Sequence, residues 1–89
     1  MFVAVIHRIH DPEGFRAAEA AARRAGCPQG VARPLNAASR DRRLGICMWE
    51  GESVIAVRDV VERTVGPFAD NEYYEMEVDG LEPQLGRLA

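Results

Sequence analysis

Lysine is absent from this chain of 89 residues, and all eleven of its basic residues are arginine. That excludes a side-chain Schiff base and a phosphate-binding lysine of the Walker type, and with them two large groups of enzymes. Hydroxyl nucleophiles are scarce as well: Ser39, Ser53 and Thr64 each fall near a turn or a helix end. The two cysteines, Cys27 and Cys47, are too few and too far apart to form a disulfide framework. They read as reduced thiols of a cytoplasmic protein. Excess positive charge is also missing. With a net charge of -3 the chain lacks the concentrated basic surface that phosphate backbones require. Its densest basic stretch, Arg40-Asp41-Arg42-Arg43, reads as a solvated turn. No nucleic-acid or membrane partner is expected. The apolar start at residues 1–6 has no basic segment before it and breaks at His7-Arg8, which suits a strand and not a leader.

What the chain does contain is ordinary for a globular domain: hydrophobic residues make up 47% of it, enough for a core. So short a chain buries a modest share of its surface, and association with a second copy is a natural source of further stability. Residues 2–9 are apolar and β-branched and predict a strand. Asp11-Pro12-Glu13 then supplies a helix cap, a proline at the first helical position and an acid in the first turn. The helix runs to about Ala25 with Phe15, Ala18, Ala22 and Ala25 on one face, and Gly26 ends it. Because that face is mostly alanine, the helix is expected to lie close on whatever it covers.

A second strand over 31–38 carries Pro34, which cannot donate to a ladder, so this strand belongs at a sheet edge. Residues 39–42 form a hairpin turn, and a third strand follows over 43–50. Ser53 caps a second helix with Val54, Val57, Val61 and Val65 at helical spacing, ended by Gly66-Pro67. A loop through Asp70-Asn71 leads to a fourth strand over 72–78, with Tyr74, Met76 and Val78 on one side and Tyr73, Glu75 and Glu77 on the other. The order β-α-β-β-α-β is the split βαβ pattern of ferredoxin-like folds. It predicts an α+β domain over 1–79 with a tail over 80–89. Its four-stranded antiparallel sheet has the order fourth, first, third, second, with both helices on one face. The first and third strands are read as parallel neighbours.

Alternation divides the sheet into two faces. The face beneath the helices is assigned to Phe2, Ala4, Ile6, Leu44, Ile46, Met48, Tyr74, Met76 and Val78. The second face holds Val3, Val5, His7, Ile9, Gly45, Cys47, Trp49, Tyr73, Glu75 and Glu77, too apolar to leave in water. Two such faces meeting make a homodimeric α/β barrel. Within that face His7 and Cys47 sit at similar depth on neighbouring strands, and pairing Ile9 near Tyr73 would bring Glu75 to His7.

The candidate site is thus His7 and Glu75 as acid-base groups, with Cys47, Trp49 and Tyr73 as ligand contacts. Trp49 can wall a pocket while its N–H fixes a polar group. His7 and Cys47 are also soft donors suited to zinc or nickel. A third reading makes His7 an interface histidine and Cys47 a small buried hydrophobe. His10 reads as a solvated loop residue, Cys27 as a partly exposed thiol after the helix cap, and Arg33 as a solvated side chain that could pair with an anionic ligand.

The segments Val5-Ile6-His7-Arg8-Ile9-His10-Asp11-Pro12-Glu13-Gly14-Phe15, Ile46-Cys47-Met48-Trp49-Glu50 and Asn71-Glu72-Tyr73-Tyr74-Glu75-Met76 resemble small actinobacterial proteins of the dimeric α/β-barrel superfamily. The likeness spans roughly 2–78 and extends to the small nickel-binding-protein-like group and to members of no assigned role. It implies a ferredoxin-like homodimer and carries over His7 and Cys47 by position. Related members include heme-degrading and quinone-forming monooxygenases and polyketide cyclases. The functions that follow are binding of a small, partly apolar molecule in a cavity on the sheet face, with or without cofactor-free monooxygenase- or cyclase-like chemistry; binding of a transition metal; or dimerisation alone.

Overall fold

The computed structural model describes residues 1–80. Its elements are β1 (Phe2–Ile9), α1 (Pro12–Ala25), β2 (Ala32–Ala38), β3 (Leu44–Glu50), α2 (Val54–Val65), a 3-10 turn (Gly66–Phe68) and β4 (Ala69–Met76). The four strands form one sheet in the order β2-β3-β1-β4. All three strand pairs are antiparallel. This is the ferredoxin-like α+β fold that the element order predicts. The tail anticipated over 80–89 lies, but for Gly80, outside the described residues.

Local chemistry sets the helix ends. The Asp11 carboxylate accepts from the Gly14 backbone N–H at 3.0 Å, and the Ser53 hydroxyl accepts from that of Ala56 at the same distance. Gly26 closes α1 at φ +83°, a backbone setting with little cost only for glycine. Pro34 sits where the sequence placed it, on an edge strand. Arg33 and Pro34 together fill an irregularity in which Ala32 pairs with Glu50 and Leu35 with Met48, leaving two residues of β2 opposite Trp49 alone.

Three expectations are corrected. First, β1 and β3 run antiparallel, with Val5 opposite Cys47 and His7 opposite Gly45. Second, the two faces are exchanged. The helices cover Val3, Val5, His7, Ile9, Cys47 and Trp49, which pack with Phe15 of α1 and Val57, Val60, Val61 and Val65 of α2. The open face carries Leu35, Leu44, Ile46, Tyr74 and Met76, each exposed, with Phe2, Ala4, Ile6 and Met48 half-buried between them. Both faces are apolar along β1 and β3, so alternation separates them without telling which one the helices take. Third, β4 begins at Ala69 and not at Glu72. Asp70 and Asn71 are strand residues, and the backbone N–H groups of His10 and Asp11 both donate to the Phe68 carbonyl, which ties the entry of β4 to the end of β1.

The alanine face of α1 also behaves differently from expectation. Phe15 is buried, Ala18 and Ala22 are half-buried and Ala25 is exposed. Small side chains on this face leave space above the sheet, and that space is the cavity described next.

Candidate functional site

His7 is the one buried polar or charged side chain among the described residues, at 2% exposure. A buried imidazole needs partners on both nitrogens, and the sheet supplies them. On β4, Asn71 pairs directly with His7 and places its Oδ1 2.6 Å from Nδ1. On β3, Cys47 lies diagonally across and places its sulfur 3.2 Å from Nε2. Gly45, directly opposite His7, leaves room for the ring: a Cβ there would stand 3.2 Å from His7 Cδ2. The Phe15 ring meets the imidazole edge to face from above, with centroids 5.2 Å apart.

The hydrogen bonds fix the position of the imidazole proton. Asn71 Nδ2 donates to a Glu62 carboxylate oxygen at 2.9 Å, and that oxygen can only accept. Asn71 therefore turns its Oδ1 to His7, and Nδ1 carries the imidazole proton. Neutral His7 is left with Nε2 as an acceptor for the Cys47 thiol, whose one proton is shared between Nε2 and Asn36 Oδ1. Tyr73 O–H completes the chain by donating to the same Glu62 oxygen. On the far side of the sulfur lies the Asn36 side-chain amide at 3.2 Å, from the residue opposite Cys47 on β2.

Burial sets the charge state. It pulls the His7 pKa below its ordinary value, with the Asn71 hydrogen bond opposing more weakly. It also pushes the Cys47 thiol up to about 11. At neutral pH the pair is thus imidazole and thiol, not imidazolium and thiolate. Glu62 goes the other way: the Tyr73 hydrogen bond holds its carboxyl below the usual range. The Tyr73 phenol is raised by burial and by that same bond.

His7 and Cys47 form the floor of a cavity of about 500 Å³ between the helices and the sheet. Trp49, Val60, Val61 and Ala22 give it apolar walls, and Cys27, exposed after the end of α1, sits at its rim. Arg33 reaches into it. Its guanidinium lies 5.6 Å from the Trp49 ring centroid and donates from Nη1 to Glu19 at 2.8 Å. The Trp49 indole N–H is buried with no acceptor, so this tryptophan walls the cavity without an N–H partner among the described residues.

The structure thus brings together His7, Cys47 and Trp49 of the predicted residues. Tyr73 reaches them only through Glu62 and Asn71. Glu75 does not join them: it pairs with Val3, four residues along β4 from the partner of His7, or roughly 13 Å at strand rise. Asn71 takes the place foreseen for Glu75. The slip keeps the parity, so Glu75 shares the face but not the site. Sequence reasoning missed Asn71, Glu62 and Asn36. The length of β1 is the signal that could have found Asn71, since an eight-residue strand calls for a partner that starts earlier than Glu72. Arg33 is not a solvated side chain but half-buried, whereas His10 is exposed as foreseen. For a metal, the pair His7 and Cys47 stands alone: among the described residues no group of three or more His, Cys, Asp or Glu side chains is placed to hold an ion.

No described helix is long and apolar enough to cross a membrane. Comparison with family models, curated proteins and solved structures finds no match. Fold and site therefore define a ferredoxin-like α+β chain with a buried histidine-cysteine pair under its helices.

Proposed function

We propose that this chain binds a small, partly apolar molecule in the cavity between its helices and its sheet, with His7 as the polar group that the ligand meets. The observation that carries this reading is the cavity itself: about 500 Å³ with apolar walls and a few convergent polar groups, the usual make-up of a small-molecule site. A solid core would have been the simpler solution for a chain this short. The alanines of α1 forgo it.

His7 also suits proton transfer without a cofactor. Its Nε2 is an acceptor shared only with a weak thiol donor, so a more acidic group on a ligand can displace the thiol and deliver a proton to it. The resulting imidazolium keeps Nδ1–H on Asn71 Oδ1, and the Glu62 carboxylate beyond Asn71 stabilises the charge. Cofactor-free oxygenation or cyclisation is chemistry of this kind, with His7 as its base.

The open sheet face is the second part of the proposal. Leu35, Ile46, Tyr74 and Met76 leave it apolar and exposed, and a second copy of the chain covering it would form the dimer of the resembled superfamily. The dimer then forms through this face and not through the one bearing His7.

Amide chemical shifts under a panel of small aromatic and aliphatic compounds test the binding reading. Saturable changes centred on His7, Cys47 and Trp49, lost in His7→Ala while the rest of the spectrum stays folded, are the expected result. Changes confined to the open face, or no saturable change at all, would remove the reading.

A further inference from the structure

The ionised groups around the cavity are unbalanced. Arg23, Arg33 and Arg63 line it against Glu19 alone, while His7 and Cys47 at the floor are neutral. One of those arginines is built into the site. The irregularity in β2 sets Arg33 opposite Trp49, and irregularities of this kind re-aim side chains. Its guanidinium is held over the indole ring and by Glu19, with the two ionised side chains only 20% and 18% exposed. Its bond to Glu19 uses Nη1; the planar group carries five N–H donors in a fork that matches a carboxylate.

We infer that the ligand of this cavity is a small carboxylate with an apolar body, its carboxylate on Arg33 and its body against Trp49, Val60 and Val61. This deepens the proposed binding function and rests on it. A monoanion halves the excess of two positive charges that Glu19 leaves among the lining side chains. Free anions with no apolar part would leave the walls unused, and neutral ligands would offer no charged acceptor to the Arg33 N–H donors not turned to Glu19. The pose places the end of the body near His7 Nε2, where the proposed proton transfer would occur.

Trp49 is the only tryptophan of the chain, so its fluorescence reports this cavity alone. The test titrates the whole chain with 3-phenylpropanoate, with its uncharged amide 3-phenylpropanamide, and with inorganic phosphate. Saturable binding of the acid at least about tenfold tighter than the amide is expected, the equivalent of one charge-assisted contact, with no saturable response to phosphate. Arg33→Gln should bring acid and amide to equal affinity. Glu19→Gln, which releases the guanidinium, should bind the acid more tightly than the parent chain does, and it keeps the inference testable if Arg33→Gln fails to fold.

Equal binding of acid and amide by the parent chain would overturn the carboxylate inference and leave the cavity reading standing. Failure of both to bind, in the fluorescence titration and in the amide-shift panel, would overturn both. Phosphate binding as tight as the acid would contradict the apolar body, and weaker acid binding in Glu19→Gln would contradict the role given to Arg33.

Discussion

The two faces of the sheet are built from the same kind of residue in strict alternation, yet they do opposite things. Val3, Val5, His7, Cys47 and Trp49 point under the helices and are at most 8% exposed, while Ile46 and Met76 on the reverse side are each 41% exposed. The covered face is the one that holds a buried polar group, and each nitrogen of its histidine is matched to a partner. The open face carries an apolar stripe, with Arg8 and Glu72 paired at 3.0 Å and Asp70 and Glu50 opposite Arg8 and Phe2. The one buried polar side chain among the described residues lies inside and an apolar stripe is left outside, which a simple pattern of hydrophobic-in and polar-out does not suggest.

A charge placed on each face separates them most sharply. Val5 is fully buried, so Val5→Asp puts an uncompensated carboxylate into the core and should cost more than about 4 kcal/mol, enough to unfold a domain of this size. Ile46→Asp should leave the fold intact and shift sedimentation at micromolar concentration from twice the chain mass to the chain mass. If instead Val5→Asp remained folded and lost the dimer, the faces would be assigned the wrong way round.

That reversal shows what the sequence carries and what it does not. Capping residues, the edge position forced by Pro34 and the element order are written in local chemistry, and they were legible. The meeting of His7 and Cys47 was expected from a parallel pairing that the fold does not have; it survives because the antiparallel register sets His7 opposite Gly45 and so keeps Cys47 on the same face. Which face the helices cover was not legible. Val3 and Val5 compete with Phe2, Ala4 and Ile6 for the core, and only packing against Phe15 and Val57 decides. The run Tyr74, Met76, Val78 looks like a buried stripe, but Tyr74 and Met76 lie on the open side, where a second copy would give them a reason, and Val78 lies past the end of the strand. Asn71 was hidden because asparagine after aspartate reads as a loop.

His7→Ala comes next in size. It leaves the Asn71 oxygen and the thiol short of a partner and opens space beside Phe15, so thermal unfolding should show a loss of about 2–4 kcal/mol. Cys47→Ala removes only a thiol and should cost about half as much. Equal costs would mean that the imidazole is held by packing and not by its hydrogen bonds.

The pH dependence of stability follows from the same burial. The Cys47 pKa is raised in the fold from 9.0 to about 11, so the unfolded chain releases its proton first as pH rises. Stability from this group is full below pH 9 and falls between there and about 11, by roughly 2–3 kcal/mol at most. His7 has a lowered pKa, so the unfolded chain takes up its proton first below 6.5, and stability falls as the solution is acidified from that point. Urea unfolding across pH should flatten on the alkaline side in Cys47→Ala and on the acid side in His7→Gln. Slopes unchanged from the parent in both variants would show that the pair does not titrate as described.

The smallest change is Gly45→Ala. Its new Cβ would press on the imidazole at 3.2 Å, so the ring must give by a few tenths of an ångström at a cost of about 1 kcal/mol or less. The shift of the His7 ring resonances, not the melting temperature, is the readout.

The central claim is that one chain builds the site by itself, beneath its own helices, and that the open face serves only assembly. The most direct measurement is titration of the Ile46→Asp monomer with 3-phenylpropanoate and its amide, followed by Trp49 fluorescence. The account predicts the same affinities as in the parent chain. Loss of binding together with the dimer, in a monomer whose fold is intact, would show that the site lies between chains and would contradict it.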